Sequence, residues 1–187
     1  MMEKIQTQSK FTRRDLGWIG GIALAVFVLD LVTKYWAVVR LKGRLPIVVI
    51  DEVFRLAYGE NTGIAFGLFQ NSGVWLHILA PIAFVVLIYY IYKYFAGEEL
   101  DFWYRLLFGL LIGGALGNIL NRLYSGYVID FLDVFIHTPW FVYHWPTFNI
   151  ADSALTVGEV ILIWKILFCG ALVENREELK SEQAESN

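Results

Sequence analysis

Two carboxylates, Asp130 and Asp152, stand 22 positions apart, each in a short polar motif that borders a long apolar run. The first motif reads Val128-Ile129-Asp130-Phe131 and the second Phe148-Asn149-Ile150-Ala151-Asp152-Ser153-Ala154. Carboxyl groups held close together cannot both ionise cheaply, so one of them keeps a proton near neutral pH. The charged member can then draw a proton from water while its neighbour gives one to a leaving group, with neither a metal nor a covalent intermediate. Asp152, near the start of a helix, feels the positive end of the helix dipole and is expected to carry the charge, although such a pair titrates as a unit.

Other polar residues fall inside or beside apolar runs, where ionisable groups are costly and therefore candidates for function. Asp30 and Lys34 are four apart in Asp30-Leu31-Val32-Thr33-Lys34, hence on one helix face and able to pair. That pair is open to a purely structural reading. Asn61 sits among small residues in Asn61-Thr62-Gly63-Ile64-Ala65-Phe66-Gly67, a pattern that suits backbone in close approach to something, or an ordinary turn. A further group runs Gly117-Asn118-Ile119-Leu120-Asn121-Arg122 and leads into the Asp130 motif.

Competing chemistries fit poorly. His77, His137 and His144 lack metal-ligand spacing, no serine lies in a Gly-x-Ser-x-Gly context, and no glycine-rich phosphate loop follows a strand. No metal or other cofactor is expected. Cys169 is the single cysteine and reads as a small buried apolar side chain.

The elements that must position these residues are set by hydropathy. The chain has 187 residues, 57% of them hydrophobic, with charges crowded into the ends and a few connections. Four apolar runs, Trp18 to Val39, Val74 to Phe95, Trp103 to Leu120 and Ala154 to Val173, each approach the roughly 20 residues a helix needs to cross the hydrocarbon. The first run is too long for a signal-peptide core and contains Asp30 and Lys34, so it reads as an uncleaved helix. Four crossings put both termini on one side. Lys4, Lys10, Arg13, Arg14, Lys93, Arg105, Lys165, Arg176 and Lys180 favour the cytoplasm for that side, against an opposing bias from Arg40, Lys42, Arg44 and Arg55 in the first connection.

The net charge of −3 is already present in the tail from Glu174 to Asn187, so the remainder is balanced and no nucleic-acid partner is indicated. Residues 1–173 are read as one membrane domain and 174–187 as a polar, solvated cytoplasmic tail. The outer connections are Arg40 to Gly73 and Tyr124 to Ala151. In the first, Ile47 to Ile50 and Val53 to Tyr58 predict a small hairpin. In the second, Tyr124, Tyr127, Phe131, Phe135, Trp140, Phe141, Tyr143, Trp145 and Phe148 suggest a loop that lies on or dips into the outer leaflet, or packs over the helix ends. Gly109, Gly113 and Gly117 make one glycine face on the third helix, where another helix can approach closely. Pro81 predicts a kink in the second. The fold class is thus an all-α membrane protein of four transmembrane helices with a small extracytoplasmic β-sheet and an aromatic-rich outer loop, with Asp130 and Asp152 at the outer ends of adjacent helices.

Taken together, these motifs resemble those of lipoprotein signal peptidase, also called signal peptidase II. The resemblance runs from Asp30 to Gly158: Asp-x-x-Thr-Lys at 30 to 34, Asn-x-Gly-x-Ala-Phe at 61 to 66, Gly-Asn at 117 and 118 with Arg122, Val-x-Asp-Phe at 128 to 131, and Phe-Asn-x-Ala-Asp at 148 to 152. It implies an aspartyl endopeptidase of the bacterial inner membrane that removes the signal peptide of diacylglyceryl-modified prolipoproteins, cutting just before the lipidated cysteine. The implied catalytic pair is Asp130 and Asp152. Asp30, Lys34, Asn61, Gly63, Asn118, Asn121, Arg122 and Asn149 would bind substrate or hold the pair, membrane lipids would be the other partners, and the protein would be a monomer. One departure is Asn121, where the family usually has Asp; Asn is nearly isosteric but uncharged, so pairing with Arg122 would weaken while hydrogen bonding could survive. Glu159, seven residues after Asp152 on the same helix face, is expected to point into the bundle. The rival readings are a family member that binds lipidated precursors without cutting them, and an unrelated four-helix membrane subunit with Asp30, Glu159 and Lys165 in intramembrane ion pairs.

Overall fold

A computed structural model describes residues 12–63, 78–79, 81–89, 100–138 and 140–169. Helix α1 (Arg13–Leu41) begins with a reciprocal cap, in which Thr12 Oγ1 accepts from the Asp15 amide at 3.1 Å and Asp15 Oδ2 accepts from the Thr12 amide at 3.1 Å. It ends where Lys42 turns extended, before Gly43 at φ +71° and Pro46. Strands β1 (Ile47–Ile50) and β2 (Phe54–Asn61) follow as the expected hairpin. Helical residues 81–89 form α2. Helix α3 (Phe102–Ser125) is capped by Asp101, whose side chain accepts from the Tyr104 amide at 2.9 Å, and closes on Gly126 at φ +82°, a left-handed position that suits glycine. Strands β3 (Val128–His137) and β4 (Val142–His144) lead into α4 (Ile150–Trp164), which continues as a π-helical turn over Lys165–Cys169.

Two of the described helices, α1 and α3, are long and apolar enough to cross a membrane. The second run lies partly outside the described residues, as do Ala65, Phe66, His77 and the tail 174–187; the kink expected at Pro81 turns on the hydrogen bond it cannot give to residue 77, and so lies outside them too. Helix α3 packs between α1 and α4. Its expected glycine face is present: a Cβ at Gly113 would lie 2.6 Å from the Ala23 carbonyl oxygen, and one at Gly117 would overlap the Asp30 carboxylate. The missing side chains therefore let α1 and α3 approach to backbone distance. At one end of the bundle Arg105 Nε meets Asp15 Oδ1 at 2.6 Å and Lys165 pairs with Asp101. Lys165 thus has its acidic partner on α3's cap, not on Glu159.

Three expectations need correction. The second outer segment is not a loop with aromatic rings; it supplies β3 and β4, so the sheet has four antiparallel strands in the order β1-β2-β3-β4. The reason lies in its β-branched and aromatic run Val128 to Ile136, which finds in β2 an edge to pair with. Tyr124, Trp140, Phe141, Tyr143 and Trp145 remain exposed, while Phe131 is buried with Ala37, Leu41 and Ile129 between the sheet and α1. Secondly, Asp130 is the third residue of β3, opposite Gly59 and five residues beyond the end of α3, not at the end of a helix. Finally, Glu159 is exposed: the packed stripe of α4 is Ala151, Ala154, Gly158 and Ile161, and Glu159 falls one position off it.

Candidate active site

Asp130 and Asp152 reach one site from two kinds of element. Phe148 bridges Leu132 as a short extra strand, with its carbonyl accepting from the Phe131 and Leu132 amides at 3.0 and 2.9 Å. The chain then turns at once into α4, so Asn149, its N-cap, lands beside β3. The Asn149 side-chain oxygen accepts from the Asp152 amide at 2.9 Å, and Asp152 Oδ2 accepts from the Asn149 amide at 3.2 Å. This capping box fixes Asp152 in the first turn of the helix. The same Asn149 donates from Nδ2 to Asp130 Oδ1 at 2.7 Å. One wholly buried side chain thus touches both acidic residues.

Two more asparagines aim amide donors at the acids. Asn61 Nδ2 donates to Asp130 Oδ2 at 2.9 Å, and its own oxygen is held by the Gly63 amide at 2.9 Å. Asn118 Nδ2 donates to Asp152 Oδ1 at 2.7 Å, and its oxygen accepts from Lys34 Nζ at 2.9 Å. In each case a donor on the carbonyl side leaves only the NH2 group to face a carboxylate. Lys34 also meets Asp30 Oδ2 at 2.7 Å, both of them buried, and Asp30 Oδ1 accepts from the Ala151 amide at 3.0 Å. The Asp30–Lys34 pair is therefore part of the site's scaffold, tying α1 to the start of α4. Arg122 Nη2 donates to the Gly63 carbonyl at 3.0 Å and anchors the turn after β2. Asn121 does not turn to Arg122; its Oδ1 accepts from the Ile129 amide, next to Asp130, at 3.2 Å.

Burial distinguishes the two acids. Burial, and after it the nearby Asp152 charge, push the Asp130 carboxyl up to about 7, although Asn61, Asn149 and Lys34 favour its ionised form. Asp152 is only half-buried and receives donors on both oxygens. A buried carboxyl raised to about 7, beside a second acid whose two oxygens each accept a hydrogen bond, is an arrangement able to exchange protons near neutral pH.

The family model described as signal peptidase (SPase) II matches residues 22–168. The chain belongs to the signal peptidase II family. Lipoprotein signal peptidases similar to it include those of Psychromonas ingrahamii, 40% identical over 81% of this chain and 83% of the relative, and of Francisella tularensis subsp. novicida, 43% identical over 79% and 89%. A solved bacterial membrane enzyme, determined by the in meso method, aligns with a TM-score of 0.69 at 29% identity, covering 87% of this chain and 93% of its own. Membership removes the reading as an unrelated membrane subunit. Within this signal peptidase II fold, Asp30, Lys34, Asn61, Gly63, Asn118, Asn121, Arg122 and Asn149 gather around Asp130 and Asp152 or on the segments beside them. Sequence reasoning missed a second cluster, Arg55, Asp133 and His144, whose signal was available: Asp133 is another carboxylate inside an apolar strand.

Proposed function

We propose that this signal peptidase II is a membrane aspartyl endopeptidase that removes signal peptides from diacylglyceryl-modified prolipoproteins, with Asp130 and Asp152 as its catalytic pair. The observation that carries the reading is the joint hold of Asn149 on both acids, combined with the raised Asp130 carboxyl. Asp152 takes a proton from water, the resulting hydroxide adds to the scissile carbonyl, and Asp130 gives its proton to the departing amide nitrogen as the C–N bond breaks. Water ends in the new carboxyl and amine, and proton exchange between the two acids restores the start. No cofactor is needed in this scheme.

Placement follows from the substrate: its diacylglycerol stays in the outer leaflet, so the scissile bond must meet the acids at that level. In this reading the chain crosses the bacterial inner membrane four times with both termini in the cytoplasm, residues 1–173 form one domain, the tail 174–187 is cytoplasmic, and the protein acts as a monomer. The exposed rings Tyr124, Trp140, Phe141, Tyr143 and Trp145 settle at the outer headgroup zone. Asn121 keeps a hydrogen bond that an Asp would also make, so nothing at that position favours a binder that does not cut.

The test is cleavage of a diacylglyceryl-modified precursor by Asp130→Asn and Asp152→Asn. Each is expected to release no signal peptide while melting like the parent protein. Normal turnover by either variant would remove the catalytic assignment.

A further inference from the structure

Strand β2 pairs with β3 in two registers separated by a bulge. Phe54, Arg55 and Leu56 face Val134, Asp133 and Leu132, whereas Gly59, Glu60 and Asn61 face Asp130, Ile129 and Val128. Three steps on β2 thus match two on β3, so one extra residue of β2 is absorbed between them. Side chains alternate faces along a strand, and a slip of one residue turns every later side chain over. If the first register continued without the bulge, Glu60 would stand opposite Val128, on the face of Asp130, where Asn61 now stands. If the second register ran back unbroken, Leu56 would stand opposite Asp133 and Arg55 would lose it.

What holds the first register is a cluster on the other face of the sheet. Asp133 is 3% exposed, and its Oδ2 meets Arg55 Nε at 2.5 Å. Its Oδ1 lies 3.5 Å from His144 Nδ1 on β4. Arg55 also stacks over the Phe135 ring at 4.9 Å, and that ring lies parallel to the His144 imidazole at 5.2 Å. A buried carboxylate is strongly disfavoured without its cation, so the pairing tolerates no slip.

We propose that Arg55, Asp133 and His144 are positioning residues for the reaction: they clamp β2, β3 and β4, force the β2 bulge, and thereby present Asn61 instead of Glu60 to Asp130. This inference rests on Asp130 being catalytic. None of the three touches the acids.

The test is steady-state cleavage of a diacylglyceryl-modified precursor by Asp133→Asn, Arg55→Leu, Arg55→Lys and His144→Ala, with Asp130→Asn alongside and melting followed in detergent. Asp133→Asn and Arg55→Leu should lose about tenfold or more in kcat, as misplacement of a reacting group does, with KM changed less than about twofold. Arg55→Lys, which keeps the cation, should recover most of kcat, and His144→Ala should fall between. Arg55 and His144 are partly exposed, so their variants remain readable if Asp133→Asn fails to fold. Parental kcat in folded Arg55→Leu overturns the clamp, as does a loss that Arg55→Lys leaves unrepaired. Should Asp130→Asn still cleave, it is the catalytic assignment that fails, whatever the clamp variants do.

Discussion

Asn149 donates to Asp130 at 2.7 Å while its side-chain oxygen caps the helix that begins with Asp152's turn. The two duties use opposite ends of one amide, so a single planar group ties the Asp130 carboxyl to the backbone of Asp152. Asn149 Nδ2 is also 3.3 Å from Asn118 Oδ1, which joins the two asparagines that serve the two acids.

Because those duties are separable, substitutions at 149 should separate them. Asn149→Ala loses both, with a capping cost of about 1 kcal/mol. Asn149→Ser keeps a capping oxygen but has no donor that reaches Asp130. Both variants should lose roughly a hundredfold in kcat, while only the Ala variant melts appreciably lower. Thermal melts and single-turnover cleavage of the same preparations check this.

The pH dependence follows from Asp130. Its folded value of about 7 lies above the ordinary 3.8, so between those values the folded protein binds more protons than the unfolded chain. The stabilising contribution of this group is therefore complete below the lower value and is lost as pH rises through the window. Activity that needs Asp130 protonated should fall above about pH 7. Removing the Asp152 charge should lower the Asp130 value, because that charge is the second-largest cause of its rise. Infrared titration of the carboxyl in Asp152→Asn reads this directly; an unchanged value would contradict it.

Asn121 tests whether charge or hydrogen bonding matters beside β3. Asn121→Asp retains an acceptor for the Ile129 amide and should keep kcat within about threefold. Asn121→Leu leaves that amide without its partner, at about 1–3 kcal/mol, and should lose both stability and turnover. Comparison of the two in melting and cleavage assays decides the point.

The glycines of α1 and α3 should respond in opposite ways. At Gly113 an added Cβ meets backbone of α1, so Gly113→Ala should cost about 1–3 kcal/mol and reduce activity by displacing Asp30. At Gly20 nothing lies within 4 Å of the same added atom, so Gly20→Ala should stabilise by about 0.5–1 kcal/mol through helix propensity. Melting temperatures in one detergent suffice to compare them.

Much of the site was legible because intramembrane polarity is expensive. Asp30, Lys34, Asn118, Arg122 and Asp152 stand out against apolar surroundings, and a hairpin of 47–50 with 53–58 follows from β-branched runs that need only local pairing, its second strand running on to Asn61 in the fold. Helix faces were legible too, since a four-residue glycine spacing states a contact without naming the partner. A seven-residue spacing puts Glu159 on the face of Asp152 but does not say which face of α4 is buried; that depends on Leu107 and Leu111 packing onto Gly158.

The sequence by itself picked out the acids and asparagines whose types suit the chemistry, and the apolar runs they border, because residue type and hydropathy are local properties. Only the tertiary structure decided that Asp130 rides on a strand, that Asn149 joins it to Asp152, and that a bulge turns Asn61 toward it. Strand pairing and register depend on residues far apart in the chain, such as Arg55 and Asp133, 78 positions apart, whose attraction exists only once the chain has brought them together.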